Sequence, residues 1–286
     1  MKGIVLVNAN YDTPSTRYQS KRLVEELVNL GVEVEIVKND GSLCTIGKAN
    51  DFDFDFCLFL DKDVHTARFL ELSGVKVFNS AEAIRICDDK VATYLSLLDL
   101  DVRIPVTISG TYTYKKTEVS KSKLDYIESI LDYPVVIKLN SSSLGEGVYL
   151  AKNRYALEQA LYNLSGKPHH VQEFIRESKG EDYRIIVVGG KVVASISRHS
   201  DSDFRSNVEL GGEPTPISLP REYVEVAERV ARRLNLDYCG IDLLKGKDGP
   251  ILCEVNSNAF FGGVESVTGI NVAEAYARYV IDILRG

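Results

Sequence analysis

The chain has 286 residues, of which 44% are hydrophobic and 26% charged, enough apolar material for one large domain or two to three small ones. A net charge of −7 argues against a general nucleic-acid binder or a protein held on anionic membranes, and no apolar run approaches the length of a membrane span. Five cysteines (Cys44, Cys57, Cys87, Cys239, Cys253) show no CxxC or Cys/His spacing, which disfavours structural zinc, and the odd count predicts free thiols in a reducing, cytoplasmic setting.

Along the chain, GIVLVN, the helical STRYQSKRLVEELVNLG, VEVEIV, FDFCLFL, the helical DVHTARFLELSG and VKVFN alternate strand and helix signals. Such alternation predicts a parallel sheet covered by helices, so residues 1 to about 80 read as a small doubly wound domain. It has no GxGxxG after the first strand and is not read as an NAD site. The alternation from Asp51 to Phe56 leads into a strand, because it lacks the glycine and terminal Glu of a calcium loop. A helix is expected from Ala81 to about Leu98 with Ser80 as its N-cap, and Ile104-Pro105 opens a second region. There, strand YPVVIKL, the small-residue loop NSSSLGEG, strand VYLA, helix RYALEQALYNL and strand HHVQEFI follow in turn. The last third holds a hairpin around Gly189-Gly190, a polar loop with DFRSN, helix REYVEVAERVARRLN, a second hairpin and a final helix capped by Asn271.

That second hairpin, GIDLLKGKDGPILCEVNSN, carries Asp242, Glu254 and Asn256 among hydrophobics. Glu254 and Asn256 are two apart and share a face, and a turn centred near Asp248 sets Asp242 opposite Glu254. Facing like charges destabilise a strand pair unless something neutralises them. A Mg²⁺ ion would do so, taking carboxylate and amide oxygens and sharing its other positions with nucleotide phosphates; a solvated hairpin with surface acids is the alternative.

Lys138, inside YPVVIKLN, either snorkels from the strand end or meets an anion, and the SSSLGEG loop after it lets backbone N–H groups approach one. The loop does not match a Walker P-loop. Arg205, Ser206 and Asn207 can donate together to phosphate or carboxylate oxygens, while Arg184 and Arg198 lie on or beside β-rich runs. His65, His169, His170 and His199 lack metal or triad spacing, and no serine sits in a GxSxG elbow, so the protein is not expected to supply a nucleophile.

In order and spacing, FNSAEAIRICDDKVATYL, YPVVIKLNSSSLGEGV, VQEFI, EDYRIIVVGGKVV, DFRSN, GIDLL, CEVNSN and VTGINVAEAY make the sequence resemble the ATP-grasp ligases over residues 78–286. The resemblance is to their RimK-like branch, which contains ribosomal-protein glutamate ligases and lysine-biosynthesis ligases. It implies an α/β (α+β) ATP-grasp fold with an N-terminal doubly wound domain at 1–85, a central subdomain with a phosphate lid at 86–173, and a C-terminal subdomain with the metal site at 174–286. It assigns Lys90 and Lys138 to nucleotide phosphates, under a loop that includes Ser143, Gly145 and Gly147. Glu173 and Phe174 fall at adenine positions and Asp182 at a ribose position; Arg205, Ser206 and Asn207 reach the phosphates and the acyl group. Asp242, Glu254 and Asn256 become ligands to Mg²⁺, two ions bridged by Glu254, with Mn²⁺ as a substitute; Arg198, Arg205 and Asn256 are the catalytic candidates.

The implied chemistry transfers the ATP γ-phosphoryl group to a carboxylate and lets an amine attack the acyl phosphate. The implied partners are a small-molecule amino acid and a carboxylate-bearing peptide, protein or metabolite, with no nucleic acid or membrane, in a homodimer or homotetramer. NSNAFFGGVESVTG departs from the better-known branches and would line the acceptor site. A regulatory nucleotide-binding module and a phosphotransferase are the competing functions.

Overall fold

The computed structural model describes residues 1–48, 51–142, 145–201, 203–206 and 212–286. Strands β1 (Lys2–Asn8), β2 (Glu33–Asn39), β3 (Phe56–Leu60) and β4 (Lys76–Phe78) form a parallel sheet in the order β2-β1-β3-β4. Helices α1 (Pro14–Asn29) and α2 (Val64–Leu72) cover opposite faces of it. Alternation along β1 explains this, since Val5 packs with Leu23 and Leu27 of α1, while Ile4 and Leu6 pack with Ala67 and Leu70 of α2. The doubly wound expectation holds.

The single helix expected from Ala81 to Leu98 is instead two, α3 (Ala81–Asp88) and α4 (Lys90–Leu95). Ser80 caps α3 as expected, accepting from Ala83 N at 3.2 Å. Asp89 breaks the helix in an extended conformation, and its carboxylate accepts from Val91 N and Ala92 N at 2.9 and 3.0 Å. An aspartate competes well for backbone N–H groups, which favours a cap over a helix interior. The break leaves Lys90 at the start of α4, where it is buried.

Strands β5 (Thr107–Ser109), β6 (Val135–Leu139), β7 (Val148–Ala151) and β8 (His169–Glu173) form an antiparallel sheet in the order β5-β8-β6-β7. With α5 (Lys121–Ile130) and α6 (Arg154–Leu164) it encloses its own core, including Ile127, Ile137, Leu157, Leu161 and Val171.

The third sheet, in the order β11-β10-β9-β12-β13, contains β9 (Glu181–Val188), β10 (Lys191–His199), β11 (Glu213–Pro216), β12 (Tyr238–Gly246) and β13 (Gly249–Asn256). Helices α7 (Arg221–Arg233), α8 (Gly262–Thr268) and α9 (Val272–Arg285) complete it, with Asn271 capping α9 through Glu274 N at 2.9 Å. This sheet shares a core with the first one: Val5, Phe56 and Phe78 belong to the same buried cluster as Ile186, Tyr238 and Tyr276. Asn79 fastens the join, donating to Tyr238 O and Ser257 O at 2.7 and 2.8 Å and accepting from Asp237 N and Tyr238 N at 2.7 and 3.1 Å.

Candidate active site

The β12–β13 hairpin turns through Lys247 and Asp248, pairing Gly246 with Gly249 and Leu243 with Leu252. Continued regularly, that register would set Asp242 against Cys253 and send Glu254 to the other face. A β-bulge between Asp242 and Leu243 adds one residue to β13, so Asp242 pairs with Glu254 after all. The expected pairing is present, and the bulge produces it.

Asp242 is buried, which rules out surface acids solvated by water as the account of this hairpin. Arg184, opposite it on β9, grips it with two N–H groups: Nε to Oδ1, and Nη2 to Oδ2 at 2.8 Å. Arg198 Nη2 lies 3.0 Å from the same Oδ2, and its Nε donates to Asp182 at 2.7 Å. Burial pushes the Asp242 carboxyl up, but the two guanidinium groups outweigh it and leave the group at about 2. Burial dominates at Asp182, whose pKa is raised although Arg198 offsets part of the shift. Glu254 has its own cation, Lys90 Nζ at 3.1 Å from Oε1, and the same ammonium donates to Ser142 O at 2.9 Å. Facing carboxylates are thus neutralised by side chains from three other elements.

One cavity, of about 110 Å³, gathers most of the expected nucleotide residues. Lys90, Lys138 and Gly145 line one part of it, Glu173, Phe174 and Asp182 another, and Arg205, Ser206, Asp242 and Glu254 the rest. Lys138 Nζ donates to Gln172 Oε1 at 2.9 Å and lies 3.8 Å from Cys253 Sγ, and among the described residues it pairs with no carboxylate. Arg205 donates to both Asp203 oxygens at 3.1 and 2.7 Å and to Gly145 O at 2.8 Å, and packs over the Phe204 ring. Val136, Ile175 and Leu244 add apolar wall, which suits an aromatic base. Gly147 lies outside this lining but holds a left-handed φ of 65°, and a Cβ there would come within 2.5 Å of Leu139. Ser143 and Asn207 lie outside the described residues.

A second cavity, of about 550 Å³, meets the first at Ser142 and Glu254, which line both. Arg198 and Asn256 open onto this one, as does Arg184. Asn258, Phe260, Gly262 and Val264, from the divergent NSNAFFGGVESVTG segment, form part of its wall. The N-terminal sheet supplies another part through Asn8, Leu60 and Asp61.

Sequence reasoning missed Gln172, Glu181 and Cys253 as lining residues. Gln172 had a usable signal, since it stands in the same VQEFI run as Glu173 and Phe174. Cys253 had none, because it reaches the cavity through the bulge.

Asp242, Glu254 and Asn256 offer oxygen donors alone, the chemistry of a hard cation. Among the described residues, no three His, Cys, Asp or Glu side chains converge to cage a metal.

A family model described as the RimK-like ATP-grasp domain matches residues 88–280. A protein named "Probable alpha-L-glutamate ligase" from Serratia proteamaculans (strain 568) is 31% identical over 292 residues, 93% of this chain and 92% of that one. A Danio rerio protein named "Beta-citrylglutamate synthase B" is 34% identical over 227 residues, 78% of this chain but only 55% of that protein's length. Among solved structures, a RimK domain ATP-grasp protein from Sphaerobacter thermophilus DSM 20745 superposes with a TM-score of 0.73 at 22% identity, covering 98% of this chain and 99% of that one.

Proposed function

The chain belongs to the RimK-like ATP-grasp family, and on that premise we propose that it is an ATP-dependent carboxylate-amine ligase joining an amino acid to a carboxylate-bearing peptide, protein or metabolite. The observation that carries this reading is the meeting of two cavities at Glu254, one lined for a nucleotide and the other large enough for two organic substrates. A carboxylate oxygen attacks the γ-phosphorus and ADP leaves; the amine nitrogen then attacks the acyl carbon, phosphate leaves, and the nitrogen gives up a proton.

Lys90 and Lys138 hold phosphate oxygens in this scheme, and Glu173 and Phe174 flank the base. Arg205 and Ser206 reach the transferring group, and Asp182, pinned by Arg198, borders the ribose. Asn207, Ser143, Gly145 and Gly147 complete the phosphate cradle on the strength of the resemblance. Asp242, Glu254 and Asn256 would hold two Mg²⁺ ions, replaceable by Mn²⁺, and bound metal would neutralise phosphate charge. Arg198 and Asn256, which line the second cavity, face the organic substrates, and catalysis requires that water, which would hydrolyse the acyl phosphate, be kept out. Three units, 1–85, 86–173 and 174–286, divide these tasks in a cytoplasmic homodimer or homotetramer; among the described residues no helix is long and apolar enough to cross a membrane.

Relatives named as glutamate ligases make L-glutamate the first amine to test. Amino acids and short carboxylate peptides supplied in pairs with ATP and Mg²⁺ should release ADP for at least one pair, with an amide found by product mass. Tight ATP binding without ADP release across the panel would instead indicate a regulatory module. A stable phosphorylated product without amide would indicate a phosphotransferase.

A further inference from the structure

The cavity lined by Arg198 and Asn256 also has a wall from the N-terminal sheet. In the order β2-β1-β3-β4 the chain leaves β1 toward one edge and β3 toward the other, so the topological switch lies between their carboxyl ends. Open parallel sheets bind ligands in that crevice. Here stands the carboxylate of Asp61, which follows β3 and is only 7% exposed.

Three neighbouring segments aim N–H groups at Asp61. Asn8, at the end of β1, donates its amide to both oxygens at 3.1 and 3.2 Å. Asn39, at the end of β2, donates to Oδ2 at 2.9 Å, and Lys62 N to Oδ1 at 2.7 Å. These contacts fix the carboxylate without cancelling its charge, and among the described residues no Lys, Arg or His forms an ion pair with it. The cavity's cations face other acids: Lys62 lies 2.6 Å from Asp88, and Arg184 and Arg198 hold Asp242. A buried carboxylate facing a cavity without a cation is costly unless a ligand supplies one. A metal ion would want several oxygen ligands together, and the nearby Asp63 caps α2 instead.

We propose that Asp61 is a specificity-determining residue that receives the primary ammonium group of the incoming amino acid. The inference rests on the ligase reading for the identity of the amine. It assigns the N-terminal sheet a direct part in selecting that substrate. Asn8 and Asn39 act as positioning residues, holding the carboxylate in place.

The test is calorimetric binding of each of the twenty common L-amino acids to the enzyme saturated with Mg²⁺ and a non-hydrolysable ATP analogue. At least one amino acid should bind, and Asp61→Asn should weaken it by about tenfold or more, the scale of one charge-assisted hydrogen bond. Its hydroxy-acid analogue, lacking the amine, should bind the unmodified enzyme weakly and lose little further on Asp61→Asn, because the lost interaction is the same one. If Asp61→Asn fails to melt cooperatively, Asp61→Glu carries the same comparison, with the displaced carboxylate weakening the amino acid alone. Equal loss for amino acid and hydroxy acid, no loss for either, or no amino acid bound by the unmodified enzyme would each overturn the proposal. ADP release with any of those results leaves the ligase reading standing; amino-acid binding that depends on Asp61 without ADP release sinks the ligase reading alone.

Discussion

Arg184 and Asp242 face each other across β9 and β12, Nη2 2.8 Å from Oδ2, and Arg198 approaches the same oxygen at 3.0 Å. A carboxylate proposed to hold a metal is therefore also the keystone of a buried quartet with Asp182. Asp242→Asn leaves two buried guanidinium groups with one carboxylate between them and should cost about 3–5 kcal/mol in urea denaturation at neutral pH. The folded-state pKa of Asp242, about 2, lies below the usual carboxyl range. Its contribution to stability is therefore complete above roughly pH 4 and is lost as the pH falls toward 2. Asp242→Asn should remove that part of the acid limb.

Glu254 is less deeply placed, and Lys90 is its one ion-pair partner among the described residues. Glu254→Ala should lower ADP release at moderate Mg²⁺ by about a hundredfold or more while changing the melting temperature little. Near-normal ADP release would remove Glu254 from the metal platform.

At Lys138 the ammonium rests on an amide oxygen and a thiol and has no carboxylate partner among the described residues. Lys138→Met keeps most of the apolar stem and discards the charge, so ATP affinity should fall about tenfold while the nucleotide-free protein melts at the same temperature or higher. Unchanged ATP affinity would mean that phosphate does not sit there.

Arg205 separates ligase chemistry from simple nucleotide binding. With ATP, Mg²⁺ and the correct carboxylate, hydroxylamine should trap the acyl phosphate as a hydroxamate. Arg205→Ala should suppress the hydroxamate by about 10²-fold or more, because the loss is concentrated in the transition state. Parallel calorimetry should show a smaller loss of ATP affinity; equal losses would confine Arg205 to ground-state binding.

His170 is fully buried beside Asn140, with Nδ1 3.0 Å from Oδ1, and among the described residues its Nε2 has no hydrogen-bond partner. Burial, then the charges of Lys138 and Lys90, push its pKa down to about 3. The unfolded chain takes up this proton near pH 6.5 and the folded chain does not, so stability is lost as the pH falls from about 6.5 toward 3. His170→Gln should flatten that loss by about 1.4 kcal/mol per pH unit in denaturation curves from pH 6 to 4.

Much of this was legible in the sequence where alternation and capping agree, as in β1, the Gly189-Gly190 hairpin and the Asn271 cap. Asp242 and Glu254 were readable as a facing pair, but the bulge that pairs them was not, since a single extra residue leaves no composition signal. The helix break at Asp89 escaped because Asp88-Asp89-Lys90 reads equally well as an exposed turn of one helix. Asp61 escaped for a different reason: an aspartate after a strand looks like any turn residue until the ends of β1 and β2 are seen to converge on it.

The apolar cores are divided unequally among the three sheets. The first and third sheets are welded through one buried cluster and the four bonds of Asn79, whereas the middle sheet carries a core of its own. The nucleotide cavity lies between that middle sheet and the welded pair, lined by Lys138 and Gln172 from one side and by Asp242 and Glu254 from the other. The welded pair supplies most of the second cavity's wall, including Asn8, Asp61, Arg198 and Asn256. The surface proposed to recognise the organic substrates therefore stands on one continuous apolar core.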